Sequence, residues 1–406
     1  MIDPADYGLD NLPLGIVADR SGRVFPAVAF ADGVVDLDAL VGAKLLDEET
    51  LRGTNTLNAF LGRGRATWSA LRARLQLLLG PDASADERAT VARASQPRAA
   101  VSPRLPIAIG DYVDFYSSLE HATNVGRIFR PNAEPLLPNY RHIPIGYHGR
   151  AATVVVSGTP VRRPHGQRKP PEADAPTFGP STQLDVEREM GWIAGPGNAL
   201  GEPISADAVR EHVYGYVLLD DWSARDVQAW ESQPLGPFLA KSFATSISPW
   251  IVSLDALEPF RVAEPARAPE PLPYLRTRER WAYDVELELL LQTSRMREHA
   301  QPPQMIAKTN LRGMYWTLAQ QLAHVTSNGA SIRPGDLFGT GTISGATPGS
   351  EGSLLELTRR GTQPLALPNG ETRGFLEDGD TVIIRGRAVK GALRAGFGEV
   401  VGIIVG

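Results

Sequence analysis

The chain has 406 residues, 42% of them hydrophobic and 21% charged, with a formal net charge of −5, which argues against wholesale disorder and against a dedicated nucleic-acid binder. It has no cysteine, so disulfide frameworks, thiolate zinc sites, iron–sulfur clusters and cysteine nucleophiles are excluded, and any metal must be held by oxygen or imidazole. No stretch approaches the ~18 apolar residues of a membrane span, and MIDPADYGLDNLPLG lacks a basic region followed by an apolar one, which predicts a cytoplasmic protein.

In chain order, strand-like runs over 24–30 and 34–37 flank the Asp32-Gly33 turn signal. The apolar spacing of Trp68, Leu71, Leu75, Leu78 and Leu79 predicts a helix over 66–79, stopped by Gly80-Pro81, and a second helix follows over 84–94. The prolines and serines of 95–106 break all periodicity there. They mark a boundary between units of residues 1–105 and 106–406. Strands are predicted beyond it over 153–157, 183–193, 213–221, 282–292, 354–357, 381–385 and 399–405, between turn signals such as Asn328-Gly329 and Asn369-Gly370. One helix is expected over 310–327, another after Ser117, where Glu120 completes an S-x-x-E capping box. Pro-rich pieces at 162–176 and 258–273 read as surface loops, so the class is mainly β with peripheral helices.

Neither a Walker A motif, a complete G-x-G-x-x-G, an H-E-x-x-H nor a G-x-S-x-G occurs, which removes the usual nucleotide, zincin and serine-hydrolase readings. What remains is acidic. In QLDVEREMGWI, Leu184, Val186 and Met190 alternate with Asp185, Glu187 and Glu189, which predicts three carboxylates on one strand face, ~7 Å apart from i to i+2. Crowded carboxylates repel unless a cation sits among them, and a hard oxygen-liganded ion, Ca²⁺ or Mg²⁺, is the consistent partner. Residues 282–291 carry an equally regular pair, Glu286 and Glu288, and pattern alone does not separate a metal site from a solvated face.

In VLLDDWSARDVQAWE, charge gathers where an apolar strand ends. It reads either as a site or as a helix start capped by Asp220 or Asp221, with an Arg225–Asp221 pair at i,i+4. His121 is a candidate general base. Glu356, read as strand, either orients an imidazole or faces solvent.

From GDYVDFYSSLEHATNVGRIFRP onward the chain closely resembles the fumarylacetoacetase family, with PIGYHGR, VSGTPVRRPHGQ, LLDDWSARDVQAWE, PLGPFLAKSF, RPGDLFGTGTISG and GSLLEL following in the family's order. DEETLRGTNTLNAFLGRGRATW extends the likeness into the first unit. This implies a small SH3-like N-terminal barrel, a mixed β-roll catalytic domain, a homodimer, and a small-molecule 1,3-diketo acid as substrate. The implied activity is hydrolysis of fumarylacetoacetate to fumarate and acetoacetate, the last step of tyrosine and phenylalanine breakdown. The resemblance assigns Ca²⁺ or Mg²⁺ to Asp114, Glu187, Glu189 and Asp221, so it chooses Glu187 and Glu189 over Glu286 and Glu288. It implies His121 as base, Glu356 as its orienting acid, and Arg225, Gln228 and Lys241 as stabilisers of negative charge. Tyr116, Arg130, Tyr147 and Thr342 match substrate contacts, and Lys241 and Thr245 match positions beside a second, Mg²⁺-like cation.

Two departures stand out. Ser232 replaces a substrate-contacting tyrosine, and Ala240 and Ala244 replace glycines. Ser232 keeps open another acylpyruvate or 1,3-diketo acid, hydrolysed or decarboxylated. A non-catalytic Ca²⁺-stabilised binding protein would explain the carboxylates, but not His121, Lys241 and Arg225 in family positions.

Overall fold

The computed structural model describes residues 3–406; the first two residues of the predicted 1–105 unit lie outside it. Within that unit, an antiparallel five-stranded sheet runs in the order Ser95–Pro97, Gly33–Asp36, Val24–Phe30, Leu14–Ala18, Ser102–Arg104. The stretch at 95–106, where periodicity breaks and the boundary is expected, therefore supplies both edge strands, where prolines cost no ladder hydrogen bonds. Helix Arg65–Leu79 buries Trp68, Leu71, Leu75 and Leu78 as its spacing predicts, and helix Ala85–Ala94 opens on a capping box between Ser84 and Glu87.

The remainder is built on two sheets. An eight-stranded mixed sheet orders Gly146–His148, Tyr112–Phe115, Leu337–Gly339, Arg188–Ala194, Val213–Asp221, Thr245–Ile247 and Val154–Val156, and Val252–Ser253 also pairs with Val213–Asp221. A five-stranded sheet orders Gln304–Asn310, Glu286–Gln292, Thr381–Lys390, Leu393–Val405 and Val161–Arg162. All nine residues of Val213–Asp221 are buried because the larger sheet is covered on both faces. Val217, Leu219, Ile193 and Leu337 join a core with Leu14, Phe60, Trp68 and Leu71 of the first unit. Trp192, Leu218 and Phe338 face the opposite core, with Leu287, Ile384 and Val400 of the smaller sheet. No helix among the described residues is long and apolar enough to cross a membrane.

Five local expectations are corrected, the first being the strand expected over 282–292, which is two pieces, Ala282–Tyr283 and Glu286–Gln292, that pair with different neighbours. The strand expected over 183–193 is two pieces, Leu184–Asp185 and Arg188–Ala194, because Asp185 turns away to pair with another segment. The helix expected over 310–327 begins only at Leu318, where Thr317 and Gln320 form a capping box; before it lies a short 3₁₀ turn, Leu311–Gly313. Helix Leu119–Phe129 is capped by Ser118, whose hydroxyl accepts from the His121 N–H, whereas Ser117 is buried and its hydroxyl accepts from Gln321. Finally, residues 354–357 form a helical turn, Leu354–Leu357, not a strand.

Candidate active site

Strand ends and register bring the acidic residues together. Asp114 lies opposite Tyr147 and Gly339, and Asp221, the last residue of its strand, lies opposite Thr245. Asp114, Glu187, Glu189 and Asp221 are all buried and each offers an oxygen within 4.8 Å of the others. Gly339 makes room for them, since a Cβ there would stand 2.5 Å from Asp114 Oδ1 and 3.0 Å from Glu189 Oε2. Gly341, at φ +78°, turns its N–H toward Asp114 Oδ1 at 3.2 Å and Glu189 Oε2 at 3.0 Å.

Two buried cations border this quartet. Lys241 Nζ lies 2.5 Å from Glu187 Oε2 and 3.1 Å from Asp221 Oδ2. Arg225 contacts Glu187 Oε1 through Nη1 at 2.7 Å and Asp185 Oδ2 through Nε at 2.8 Å, and it also donates to Gln228 Oε1 at 3.0 Å. The Tyr147 hydroxyl donates to Asp221 Oδ2 at 2.5 Å, and Thr245 Oγ1 donates to Asp221 Oδ1 at 2.9 Å. Burial opposes ionisation of Glu187, but Lys241, Arg225 and His121 outweigh it and hold the carboxyl well below its usual range. Asp114 and Glu189 are pushed well above theirs, first by burial and then by neighbouring carboxylates. Glu189 Oε1 has no hydrogen-bond partner among the described residues. Buried, mutually repelling, oxygen-only and partly unpaired, the quartet fits a hard divalent cation.

On the other side of the site, His121 Nδ1 lies 2.7 Å from Glu356 Oε2. Glu356 also takes hydrogen bonds from Ser344, Ser353 and Asn124. Burial disfavours its charge, yet His121 and these donors prevail and bring its carboxyl down to about 2. The Tyr116 ring packs edge-on against the His121 ring, centroids 5.2 Å apart, and its hydroxyl feels the charges of Glu356, Glu187, Arg225 and Arg130. Arg130 donates to the Pro135 carbonyl at 2.6 Å. Arg130 Nε, Arg225 Nη2 and Thr342 Oγ1 are buried without a partner among the described residues. A cavity of about 360 Å³ opens beside Tyr147 and Lys241.

Residues 112–404 match the family model described as fumarylacetoacetate hydrolase C-terminal, and residues 10–106 match fumarylacetoacetase N-terminal. The chain is 46% identical to fumarylacetoacetase of Rattus norvegicus, over 99% of this chain and 97% of that protein. It is also 46% identical to fumarylacetoacetase of Arabidopsis thaliana, over 98% and 96%. The chain belongs to the fumarylacetoacetase family. A solved fumarylacetoacetate hydrolase from psychrophilic Exiguobacterium antarcticum shares the fold at TM-score 0.55 and 16% identity, covering 97% of this chain and 99% of that one. A 5-carboxymethyl-2-hydroxymuconate delta-isomerase from Mycobacterium smegmatis does so at TM-score 0.51 and 17% identity, with the same coverage.

Of the residues that the family resemblance singled out, the contacts above join Asp114, Glu187, Glu189, Asp221, Lys241, Arg225, Gln228, Tyr147 and Thr245 at the quartet and Tyr116 and Glu356 at His121, whereas some of the pattern-based alternatives lie elsewhere. Asp185 is outside the quartet; it accepts from Arg225 and from the backbone N–H groups of Leu354 and Leu355. Glu286 is half-buried and pairs with Lys308 and Arg387, the solvated sheet face of the two alternatives. Asp220 and Asp221 cap no helix: Asp220 accepts from the Glu187 N–H, and Arg225 bonds Asp185 and Glu187 instead of Asp221. The supports of Glu356 escaped the sequence reading, although Ser353-Leu-Leu-Glu356 is itself an S-x-x-E signature that announces a helix start. Of the departures from the family pattern, Ala240 and Ala244 are buried and neither has a left-handed backbone, so alanine is unstrained there. The Ser232 hydroxyl donates to the Gln228 carbonyl at 2.6 Å.

Proposed function

We propose that the protein hydrolyses fumarylacetoacetate to fumarate and acetoacetate, with the residues above in the roles that the family resemblance gives them. Near-full-length identity to curated fumarylacetoacetases supports the substrate. The observation that carries the reading is the buried cluster of four carboxylates bordered by Arg225 and Lys241, with the His121–Glu356 pair, 2.7 Å apart, on the other side of the site.

Asp114, Glu187, Glu189 and Asp221 would hold Ca²⁺ or Mg²⁺, with Lys241 and Thr245 beside a second cation position. A divalent cation bound to the quartet supplies Lewis acidity and a template for two oxygens of a 1,3-diketo acid. The Nδ1–H of His121 donates to Glu356, which fixes the tautomer and leaves Nε2 as the base. Nε2 takes a proton from the water that attacks one carbonyl. Arg225, Gln228 and Lys241 face the negative charge that develops on that oxygen. The carbon–carbon bond then breaks because the leaving group is a stabilised enolate, and the proton held by His121 returns to that carbon. Arg130, Tyr116, Tyr147 and Thr342 bind and orient the substrate's carboxylate and carbonyl groups.

The proposal includes an SH3-like barrel for residues 1–105, a β-roll catalytic unit for 106–406, and a cytoplasmic homodimer. A second reading, another acylpyruvate or diketo acid, is favoured by Ser232, whose hydroxyl is engaged with the Gln228 carbonyl. The test is loss of fumarylacetoacetate ultraviolet absorbance with purified protein, after EDTA and after Mg²⁺ or Ca²⁺ add-back. Fast metal-dependent loss with fumarate and acetoacetate as products establishes the reaction. No loss from folded, metal-replete protein that turns over acylpyruvates instead establishes the second reading.

A further inference from the structure

Arg188 lies between Glu187 and Glu189 in the chain but projects from the other side of its strand, and it is fully buried. No carboxylate pairs with it among the described residues, and its Nε and Nη1 have no partner. Its Nη2 is directed at three backbone carbonyls of one segment: Ile343 at 3.3 Å, Ser350 at 3.2 Å and Glu351 at 3.2 Å. Its own backbone is tied to the same segment, its N–H to the Gly352 carbonyl and its carbonyl to the Ile343 N–H, both at 2.9 Å. Burying a guanidinium without a counter-ion forfeits its solvation, so packing alone does not favour arginine over an apolar side chain here.

The clamped segment carries the groups that hold the general-base pair. It begins just after Thr342, and its Ser344 hydroxyl touches both oxygens of Glu356 at 2.9 and 3.0 Å while accepting from the Gly352 N–H. Ser344 also exchanges hydrogen bonds with Ser118, the cap of the helix that bears His121. One side chain therefore joins the strand of the acidic quartet to the loop that holds Glu356 against His121.

We infer that Arg188 is a positioning residue for the reaction, acting through the 343–352 loop on Glu356 and His121. This rests on the reading of His121 and Glu356 as the proton-transfer pair. By analogy with the outer partners that orient metal ligands, the scale of the effect is about 10- to 100-fold in activity. Arg188→Met removes the charge and the donors, and relief of the buried charge offsets the loss of the three carbonyl contacts, so the variant stays folded, which its melting temperature checks.

The experiment measures kcat and KM for Arg188→Met and Arg188→Lys, each also in the Glu356→Gln background, with calorimetric Mg²⁺ affinity of the metal-stripped proteins. Expected are a kcat lower by about 10- to 100-fold for Arg188→Met, KM within about 3-fold, partial recovery in Arg188→Lys, and nearly unchanged Mg²⁺ affinity. In the Glu356→Gln background the Arg188 substitutions should cost less than about 2-fold, because the path they act through is already cut. Full activity of Arg188→Met, multiplicative losses in the double variants, Mg²⁺ affinity falling in step with kcat, or failure of both Arg188 variants to fold would each overturn the inference. Unchanged kcat in Glu356→Gln alone would instead sink the reading of the pair itself.

Discussion

The Nδ1 atom of His121 sits 2.7 Å from Oε2 of Glu356, a residue 235 positions further along the chain. Each is the third residue of a helix whose cap is a serine: the Ser118 hydroxyl accepts from the His121 N–H and the Ser353 hydroxyl from the Glu356 N–H. The contact is thus fixed by two backbone anchors as well as by the pair itself. His121→Ala should lower kcat by about 10²–10⁴, the usual worth of general acid–base catalysis, with a smaller change in KM. Steady-state kinetics decide it, and an unchanged kcat with raised KM removes His121 from the chemistry.

Acid stability follows from the same pair. The Glu356 carboxyl, held at about 2 in the folded protein, lies below its ordinary value near 4.5. A depressed carboxyl stabilises the fold above the unfolded pKa, and that contribution is lost as pH falls from about 4.5 through about 2. The stability advantage of the parent over Glu356→Gln should therefore be full at neutral pH and shrink across that window. Denaturant titrations of both proteins at several acidic pH values test this, and a gap that widens with acid refutes it.

Cation removal should destabilise the protein, because the quartet then keeps buried, repelling carboxylates. A cation at 100 times its Kd contributes ~2.7 kcal/mol to the folded state. Thermal melts with EDTA and with Mg²⁺ or Ca²⁺ restored should differ in that sense. Glu189→Gln should melt no lower than the parent in EDTA and gain little from added cation, since it deletes both the repulsion and a ligand.

Lys241 is the shared partner of Glu187 and Asp221. Lys241→Met leaves two buried carboxylates short of a counter-charge, which costs about 3–5 kcal/mol when one partner of a buried pair is removed. A kcat lower by about 10²–10³ should accompany it if the ammonium also faces the developing oxyanion. Loss of stability with full kcat would leave Lys241 a purely structural role.

Trp68 carries the contact between the first unit and the large sheet. Its ring meets Tyr214 edge-on, centroids 5.3 Å apart, and its Nε1–H donates to the Phe60 carbonyl at 3.2 Å. Trp68→Ala should cost about 3–5 kcal/mol. Because one core spans both units, calorimetry should show a single unfolding transition at lower temperature, and two separate transitions would contradict a shared core.

The strand-rich class and the helix of Trp68 and Leu71 are legible in residue order alone, and the ordered family motifs single out the carboxylates, imidazole and cations of the candidate site. These are local or chemical properties: periodicity reports which face is apolar, and residue type limits what an atom can donate, accept or ligate. Tertiary structure decided the rest. Glu187 and Glu286 stand in equally alternating runs, yet one is buried beside Asp114 and Asp221 while the other pairs with Lys308 and Arg387 on a solvated face. Alternation records only which side of a strand a residue takes, whereas neighbouring strands decide whether that side meets water. Asp185 shows the same limit, for a break in the strand turns it from the quartet to Arg225. Glu356 reads as strand in sequence because four residues are too few to show a helical period, and it is buried beside His121 next to a loop whose carbonyls accept from Arg188, far away in the chain.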